Sequence, residues 1–247
     1  MIGDLTAQTV TITGDGGDEV QAYLAEPQDP GPHGGVVVIH HLPGFDDSTK
    51  EIARRFAADG YTAIVPNLYW REAPGLPAEQ AFAAGLAAGG IPDDRLVGDV
   101  DGARHFLSAM GTSSRRIATI GFCSGGRQSL LAGCRLPLQA AVDCYGGFVT
   151  RMSPKEFPIE IHPVIGLVSN LSCPLLGLFG NDDENPSPAD VDELEQALTE
   201  QDKIFEFHRY DGAGHAFFNV DRPSYRAEAA KDGWQRILDF FGRHLAS

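Results

Sequence analysis

The sequence is poor in cysteine and in basic residues, and each shortage excludes a class of protein. Its four cysteines show no paired spacing typical of metal ligands, and they are too sparse for a disulfide scaffold. Lysine and arginine number 19 against 34 acidic residues, and the net charge of −15 disfavours binding to nucleic acid or anionic membranes. We therefore expect reduced cysteines, no metal and a small-molecule partner.

Long apolar runs are also missing. No stretch approaches the length of a membrane-spanning helix, and residues 1–13 lack a basic region followed by an apolar core. These features predict a protein that is not exported and that works in the cytoplasm. There is no internal repeat, interdomain linker or charged tail, so we expect residues 1–247 to form a single α/β domain.

The sequence does contain a regular alternation of short apolar runs with helical segments. Residues 9–13 and 20–25 predict an antiparallel hairpin around the turn residues 14–17. The apolar runs that follow predict buried strands at 35–39, 62–66, 117–120, 140–142, 175–179 and 203–210. The periodic segments predict helices within 49–59, 81–90, 97–110, 128–134, 188–198 and 230–241. This order predicts a mostly parallel sheet with an antiparallel N-terminal edge and helices on both faces.

One cysteine lies between glycines in a strand–turn–helix segment. Cys123 is the third residue of the sequence GFCSGG at positions 121–126. A nucleophile at such a turn has a strained backbone, so the residues two before and two after it must be small. The turn also places the sulfur at a helix N-terminus, which favours a thiolate. We interpret the segment as a nucleophile elbow with cysteine in place of serine; the structural alternative is a small buried cysteine.

A thiol nucleophile needs a base, and that base needs an orienting carboxylate. His215 follows the last predicted strand in a glycine-containing loop. The acid is expected after an intermediate strand, where three candidates lie side by side: Asp182, Asp183 and Glu184. The order of nucleophile, acid and histidine is that of hydrolases built on an elbow.

Two backbone N–H groups are predicted to hold the negative charge that develops on a substrate carbonyl. One belongs to Ser124, directly after the nucleophile, and the other to the loop that follows residue 39, where Leu42 is the candidate.

An insertion at residues 67–92 follows a predicted strand and carries aromatic residues, so it is a candidate pocket wall. Ordinary packing of its aromatics is the alternative. The candidate wall residues are Tyr69, Trp70, Tyr145 and Phe217, with Arg71 as a candidate partner for a substrate carboxylate.

Taken together, these segments resemble the dienelactone hydrolase family of α/β-hydrolases over nearly the whole chain. The matching motifs are His40 with Gly44, residues 67–69, GFCSGG, residues 145–147, Gly180 with Asp183, and residues 214–217. The resemblance implies an α/β-hydrolase fold and a cofactor-free hydrolase that opens lactones or cleaves esters through a thioester. It also implies that Cys123, Asp183 and His215 are the catalytic residues.

Two positions depart from the family's lactone-opening members. Those members carry a glutamate where this chain has His41, and an arginine that binds the substrate carboxylate where this chain has Asn219. An imidazole cannot supply negative charge, and a protonated His41 would favour the thiolate if its side chain faced the sulfur of Cys123. We therefore expect neutral esters or lactones as substrates.

Two functions of other classes stay open at this point. One is a non-catalytic ligand-binding protein on the same fold, and the other is a thiol-based acyl-transfer or redox protein, which the additional cysteines slightly favour. Turnover of a chromogenic ester that is lost on thiol alkylation would separate a hydrolase from a ligand-binding protein.

Overall fold

The computed structural model describes residues 4–111 and 116–245. Within them the strands are β1 (Leu5–Thr13), β2 (Glu19–Pro27), β3 (Gly34–Ile39), β4 (Tyr61–Pro66), β5 (Ile117–Phe122), β6 (Ala140–Cys144), β7 (Leu175–Gly180) and β8 (Phe205–Tyr210). The helices are α1 (Asp47–Ala58), α2 (Ala78–Ala87), α3 (Asp93–Ala109), α4 (Ser124–Arg135), α5 (Pro188–Glu200) and α6 (Ala227–His244).

The strands of this part of the chain form one eight-stranded sheet in the order β1-β2-β4-β3-β5-β6-β7-β8. The β1–β2 and β2–β4 pairs are antiparallel, and the other neighbours are parallel. The predicted mixed sheet with an antiparallel N-terminal edge is therefore confirmed.

Successive side chains of a strand point to opposite faces of the sheet, so each buried strand contributes to two cores. On one face, Val37 and Ile39 of β3 pack with apolar residues of α3, α4 and α5. On the other face, Val36 and Val38 pack with residues of α1 and α6. Helices thus cover both faces, which explains why β3 and β5 are continuously apolar.

Several element boundaries differ from those predicted. Helix α2 ends at Ala87, because Gly89 and Gly90 have positive φ angles of 90° and 89°. Helix α4 begins at Ser124, directly after Cys123, and a short 3-10 helix at Ile165–Asn170 has no counterpart in the sequence prediction.

Strand order determines where a ligand site can form. After β3 the chain moves to one side to form β4, and it then returns to the other side of β3 to form β5. The loops that follow β3 and β5 therefore diverge at the carboxyl edge of the sheet, where open α/β sheets bind their ligands.

Arg71 ties the insertion at residues 67–92 to the N-terminal hairpin. Its guanidinium donates to both carboxylate oxygens of Asp99, at 2.8 and 2.9 Å, and to Asp18 Oδ2 at 2.7 Å. The Asp99 side chain is fully buried and also accepts the backbone N–H of Asp15 at 2.9 Å. The hydrogen bonds to Asp99 and Asp18 outweigh burial and raise the pKa of Arg71.

We predict that Arg71→Met lowers the free energy of unfolding by roughly 3 kcal/mol, because the Asp99 carboxylate is left buried without its cation. Urea denaturation would measure the loss. The double variant Arg71→Met/Asp99→Leu is the control, and it should recover most of the stability. Wild-type stability of Arg71→Met would show that the ion pair does not anchor the insertion.

Candidate active site

The turn between β5 and α4 holds Cys123 in a strained backbone conformation, with φ 57° and ψ −123°. A Cβ atom at Gly121 would lie 1.8 Å from the carbonyl oxygen of Gly125, and one at Gly125 would lie 2.2 Å from that of Ile39. Both positions therefore exclude any side chain, as the elbow interpretation requires. The Cys123 N–H donates to the Cys144 carbonyl at 3.0 Å, which joins the turn to β6.

The sulfur lies at the beginning of a helix. Cys123 is the N-cap of α4, and Ser124 is its first residue. The N–H groups of a first helical turn have no intrahelical acceptor, and they point their partial positive charge at a bound anion. Ser124, Leu42 and Cys123 line the same cavity, so both residues predicted as oxyanion donors share a cavity with the cysteine.

His215 and one of the three candidate acids form a hydrogen-bonded pair. His215 Nδ1 lies 2.8 Å from Asp183 Oδ2, and the Asp183 side chain is only 2% exposed. Its other oxygen accepts the backbone N–H of Asn185 at 2.9 Å. Asp182 and Glu184 are exposed. The structure thus brings together Asp183, the acid that the family resemblance implies, and His215.

The imidazole of His215 is strongly basic in this setting. Burial by itself would lower its pKa, but hydrogen bonds to Asp183 and to the Cys123 sulfur, together with their negative charges, raise the pKa to about 10. A charged imidazolium is therefore favoured while the sulfur is a thiolate.

A buried, uncharged histidine shapes the loop after β3. His40 Nδ1 donates to the His41 carbonyl at 3.0 Å, and His40 Nε2 accepts the N–H of Leu68 at 3.3 Å. Burial lowers the pKa of His40 to about 4. A Cβ atom at Gly44, where φ is 70°, would lie 1.8 Å from His40 Nδ1, so the loop can fold back on His40 only with glycine there.

The turn after β6 supports both the cysteine and the histidine. Tyr145 has φ 46°, and its ring packs edge-on against His215 with centroids 5.2 Å apart. Asp143 accepts the N–H of Gly146 at 2.7 Å, and its Oδ2 has no hydrogen-bond partner among the described residues. Complete burial raises the pKa of Asp143 to about 7.

Two cavities within the described part of the chain meet at the cysteine. The first cavity, of about 660 Å³, extends under α2. The second cavity, of about 780 Å³, lies between α1 and the loop after β8. Leu42, Cys123 and His215 line both cavities.

Of the seven residues that the sequence analysis considered around the substrate, four line these cavities and three do not. Tyr69 lines the first cavity, and the second cavity is lined by His41, Tyr145 and Asn219.

The predicted place at the substrate pocket is wrong for the wall candidates Trp70 and Phe217 and for the carboxylate partner Arg71. None of the three lines either cavity in the part of the chain that the structure describes. Trp70 packs against the core under α3, and Arg71 is held by Asp99 and Asp18. Phe217 is fully buried and packs against Tyr145 and Tyr210.

His41 is bound by a carboxylate that the sequence analysis did not identify. Its Nε2 lies 3.1 Å from Asp46 Oδ2. Asp46 also caps α1 by accepting the N–H of Thr49 at 2.8 Å. Although burial opposes it, the hydrogen bonds to His41 and Thr49 lower the pKa of Asp46 well below its usual range. The imidazole of His41 is therefore held by the carboxylate of Asp46.

Sequence reasoning also missed much of the first cavity. Its lining includes Phe82 and Leu86, which lie one helical turn apart on α2. It also includes Phe148 and Phe157, whose rings pack edge to face with centroids 5.0 Å apart. The spacing of Phe82 and Leu86 was a usable signal for one face of a helix.

The other cysteines lie away from the cavities. Cys134, Cys144 and Cys173 are buried, and no disulfide forms in the described part of the chain. Burial raises the pKa of Cys134 to about 11 and that of Cys173 to about 12, and it also raises that of Cys144. These thiols are held in the unreactive protonated form.

Residues 4–111 and 116–245 contain neither a metal-binding cluster nor a membrane-spanning helix. No group of three or more histidine, cysteine, aspartate or glutamate side chains is placed to bind a metal ion. No helix in these ranges has both the length and the apolar character needed to cross a membrane.

Comparisons with known proteins agree with this geometry. Residues 20–245 match the model of the dienelactone hydrolase family. A Yersinia pestis protein provisionally named a carboxymethylenebutenolidase is 37% identical, over 94% of this chain and 86% of its own length. An Escherichia coli K12 protein with the same provisional name is also 37% identical, over 92% of this chain and 84% of its own. A Klebsiella pneumoniae crystal structure, provisionally named a dienelactone hydrolase, has a TM-score of 0.85 at 32% identity and covers 98% of this chain and 100% of its own.

The buried carboxyl of Asp143 predicts a pH dependence of stability. Between its ordinary pKa of 3.8 and the folded value of about 7, the unfolded chain ionises while the folded protein does not, so stability falls as the pH rises. Asp143→Asn lacks this loss and should therefore gain stability relative to the wild type between pH 4 and pH 8, as measured by urea denaturation.

Asp232→Asn is the control with the opposite sign. A hydrogen bond to Arg236 lowers the pKa of Asp232, so this carboxylate stabilises the fold fully above its ordinary pKa of 3.8. The cost of losing it should therefore rise with pH only below that value and should stay constant between pH 4 and pH 8. A stability difference between Asp143→Asn and the wild type that does not change with pH would contradict the prediction.

Proposed function

The chain belongs to the dienelactone hydrolase family, and we propose that it hydrolyses neutral esters or lactones with Cys123 as the nucleophile. Membership of that family makes it a hydrolase of carboxylic ester bonds. The observation that carries the proposal is the arrangement of three groups. Cys123 lies on the elbow and lines both cavities together with His215, whose Nδ1 is 2.8 Å from the buried Asp183.

In the first half of the proposed reaction, the Cys123 thiolate attacks the carbonyl carbon of the ester. The carbonyl oxygen becomes an oxyanion, which accepts the N–H groups of Ser124 and Leu42. When the tetrahedral intermediate collapses, the bond to the leaving oxygen breaks and His215 gives that oxygen its proton. An alcohol leaves, and the acyl group stays on the sulfur as a thioester.

In the second half, His215 changes from acid to base. The thioester sulfur carries no charge, so the contribution of Cys123 to the raised pKa of His215 disappears. Neutral His215 then takes a proton from water, which attacks the thioester and releases the acid. Asp183 keeps the imidazole oriented throughout. Each step uses protein groups and water alone, so the proposed reaction needs no cofactor.

The surroundings of the site favour an uncharged substrate. In the first cavity, Arg127 donates to both carboxylate oxygens of Asp93 at 2.9 Å, so the positive charge is already paired. Glu160 and Glu184 add negative charge to the lining. In the second cavity, Asn219 stands where the family's lactone-opening members carry an arginine. The unpaired cysteines support the further proposal that the protein works in a reducing compartment, the cytoplasm.

Cys123→Ala should abolish ester hydrolysis without unfolding the protein, and His215→Ala should lower turnover on the order of a thousandfold or more. Asp183→Asn should cost somewhat less, because it removes the orienting group and leaves the nucleophile and base in place. Turnover of p-nitrophenyl acetate and circular dichroism would measure the two effects, and iodoacetamide should label Cys123 and inactivate the wild type.

Asp182→Asn and Cys134→Ser are the matched controls, since Asp182 is exposed and Cys134 lies outside both cavities. Near-wild-type activity of Cys123→Ala would refute the proposed nucleophile. A crippled Asp182→Asn beside an active Asp183→Asn would refute the proposed acid.

Asn219→Arg should shift specificity towards anionic substrates. A charge-assisted hydrogen bond would raise the ratio of kcat/KM for a carboxylate-bearing ester to that for its neutral analogue by roughly tenfold. Asn219→Met is the uncharged control. A wild-type enzyme that already prefers the anionic ester, and gains nothing from the arginine, would overturn the expected preference for neutral substrates.

A further inference from the structure

We infer that the natural substrate is an ester with two sizeable portions: a bulky, uncharged, apolar acyl group that occupies the first cavity and a polar alcohol that occupies the second cavity. This inference rests on the proposed function, because it assumes attack by Cys123 on the ester carbonyl.

The position of the sulfur gives the first argument. Cys123 and His215 lie where the two cavities meet, so an ester bond placed at the sulfur has one substituent directed into each cavity. Cavities of about 660 and 780 Å³ both fall within the range of about 300–1,000 Å³ that is usual for small-molecule sites. A compact lactone would leave most of that space to water.

The lining of the first cavity favours an apolar group. Its large apolar side chains include Phe82, Leu86, Ile91, Phe148, Phe157 and Ile159. Removing their surface and that of the ligand from water would supply the binding energy, at about 25 cal/mol per Å² of apolar area. An acyl group with a carboxylate would face Glu160 and Glu184 and would find Arg127 already paired with Asp93.

The lining of the second cavity favours a polar but uncharged group. Side chains of both charges line it, namely Asp47, Glu51, Arg54, Arg55, Asp221 and Arg222, beside apolar ones such as Ile52 and Phe218. Because both signs are present, the cavity offers hydrogen-bond donors and acceptors without a strong preference for either charge. A hydroxylated alcohol, which carries polar groups on a carbon frame, matches such a mixed surface.

The chemistry decides which portion goes where. His215 must protonate the leaving oxygen, and the residues that follow it in the chain, Ala216 and Asn219 among them, form a wall of the second cavity. Ser124, the proposed oxyanion donor, and Gln128 from the same helix line the first cavity. The alcohol therefore departs through the second cavity, and the acyl group stays in the first.

This assignment has a kinetic signature. After the alcohol has left, the acyl group is still attached to the sulfur, so contacts in the first cavity act on both acylation and deacylation. Contacts in the second cavity act on acylation alone. A substitution in each cavity, followed through both half-reactions, can therefore separate the two portions.

Leu86→Trp would fill part of the first cavity, and Ser224→Trp would fill part of the second cavity. Ala83→Trp on α2 and Ala227→Trp near residue 224 are matched controls, because both positions are exposed and neither lines the first or the second cavity. Two substrate pairs are needed. The p-nitrophenyl esters of acetate and 3-phenylpropanoate differ in the acyl group, and the ethyl and diethylene glycol esters of 3-phenylpropanoate differ in the alcohol.

The wild type should prefer 3-phenylpropanoate to acetate and the diethylene glycol ester to the ethyl ester. Leu86→Trp should reduce the first preference by roughly 10- to 100-fold and should alter the rate of deacylation seen in burst kinetics. Ser224→Trp should reduce the second preference by about tenfold, with the deacylation rate constant of the wild type. Both exposed controls should behave as the wild type.

Failure of the inference can be told apart from failure of the proposed function. If mass spectrometry detects no thioester at Cys123, the proposed function itself fails. If the thioester forms but Leu86→Trp leaves the acyl preference intact, or if Ser224→Trp alters deacylation, the assignment of the cavities is overturned. A wild type that prefers the smaller member of both pairs would overturn it as well.

Discussion

The close approach of three backbone segments at residues 121, 125 and 39 is the constraint on which the site depends. A Cβ atom at Gly121 or Gly125 would lie 1.8 or 2.2 Å from a carbonyl oxygen, so β3, β5 and α4 meet without side chains between them. This contact allows α4 to begin directly after Cys123, and it holds the cysteine at a positive φ angle. The strain is retained because buried strands on both sides determine the backbone.

The remaining parts of the site are positioned through that contact. The Cys123 N–H is bonded to β6, and the turn that follows β6 places Tyr145 against His215. His40 holds the loop after β3, from which the N–H of Leu42 is proposed to act. The turn at Cys123 and the loop after β3 are thus fixed by hydrogen bonds, and the turn after β6 also packs a ring against His215. Such a preorganised arrangement suits the stabilisation of an oxyanion, since the donors need not move during the reaction.

Much of this architecture could be predicted from the sequence, because it follows from local patterns. Apolar runs gave the strands, glycine spacing gave the elbow, and the order of Cys123, the acidic run and His215 gave the candidate triad. Arg71 and Phe217 could not be placed in the same way, because their neighbours in the chain do not show which way their side chains point. Arg71 is held by Asp99, which is 28 positions away, and Phe217 packs against Tyr210 at the end of β8 and Tyr145 in the turn after β6. The strand order likewise depends on long-range pairing that no local pattern reveals.

The first cavity and the proposed triad belong to parts of the fold with different support. Cys123 and Asp183 follow β5 and β7, which are buried strands inside the sheet, and His215 is hydrogen-bonded to Asp183. Helix α2, in contrast, has no side-chain cap at its N-terminus and packs mainly in a small cluster with Tyr69 and Ala73. Helices with so few buried contacts open by local unfolding at a lower free-energy cost than the sheet does. Opening of α2 would remove one wall of the first cavity while the sulfur, imidazole and carboxylate stay in place. Discrimination between acyl groups would then be more sensitive to temperature and denaturant than the hydrolysis of a small ester. Substitutions in α2 could likewise change the specificity of the protein without any change at the elbow.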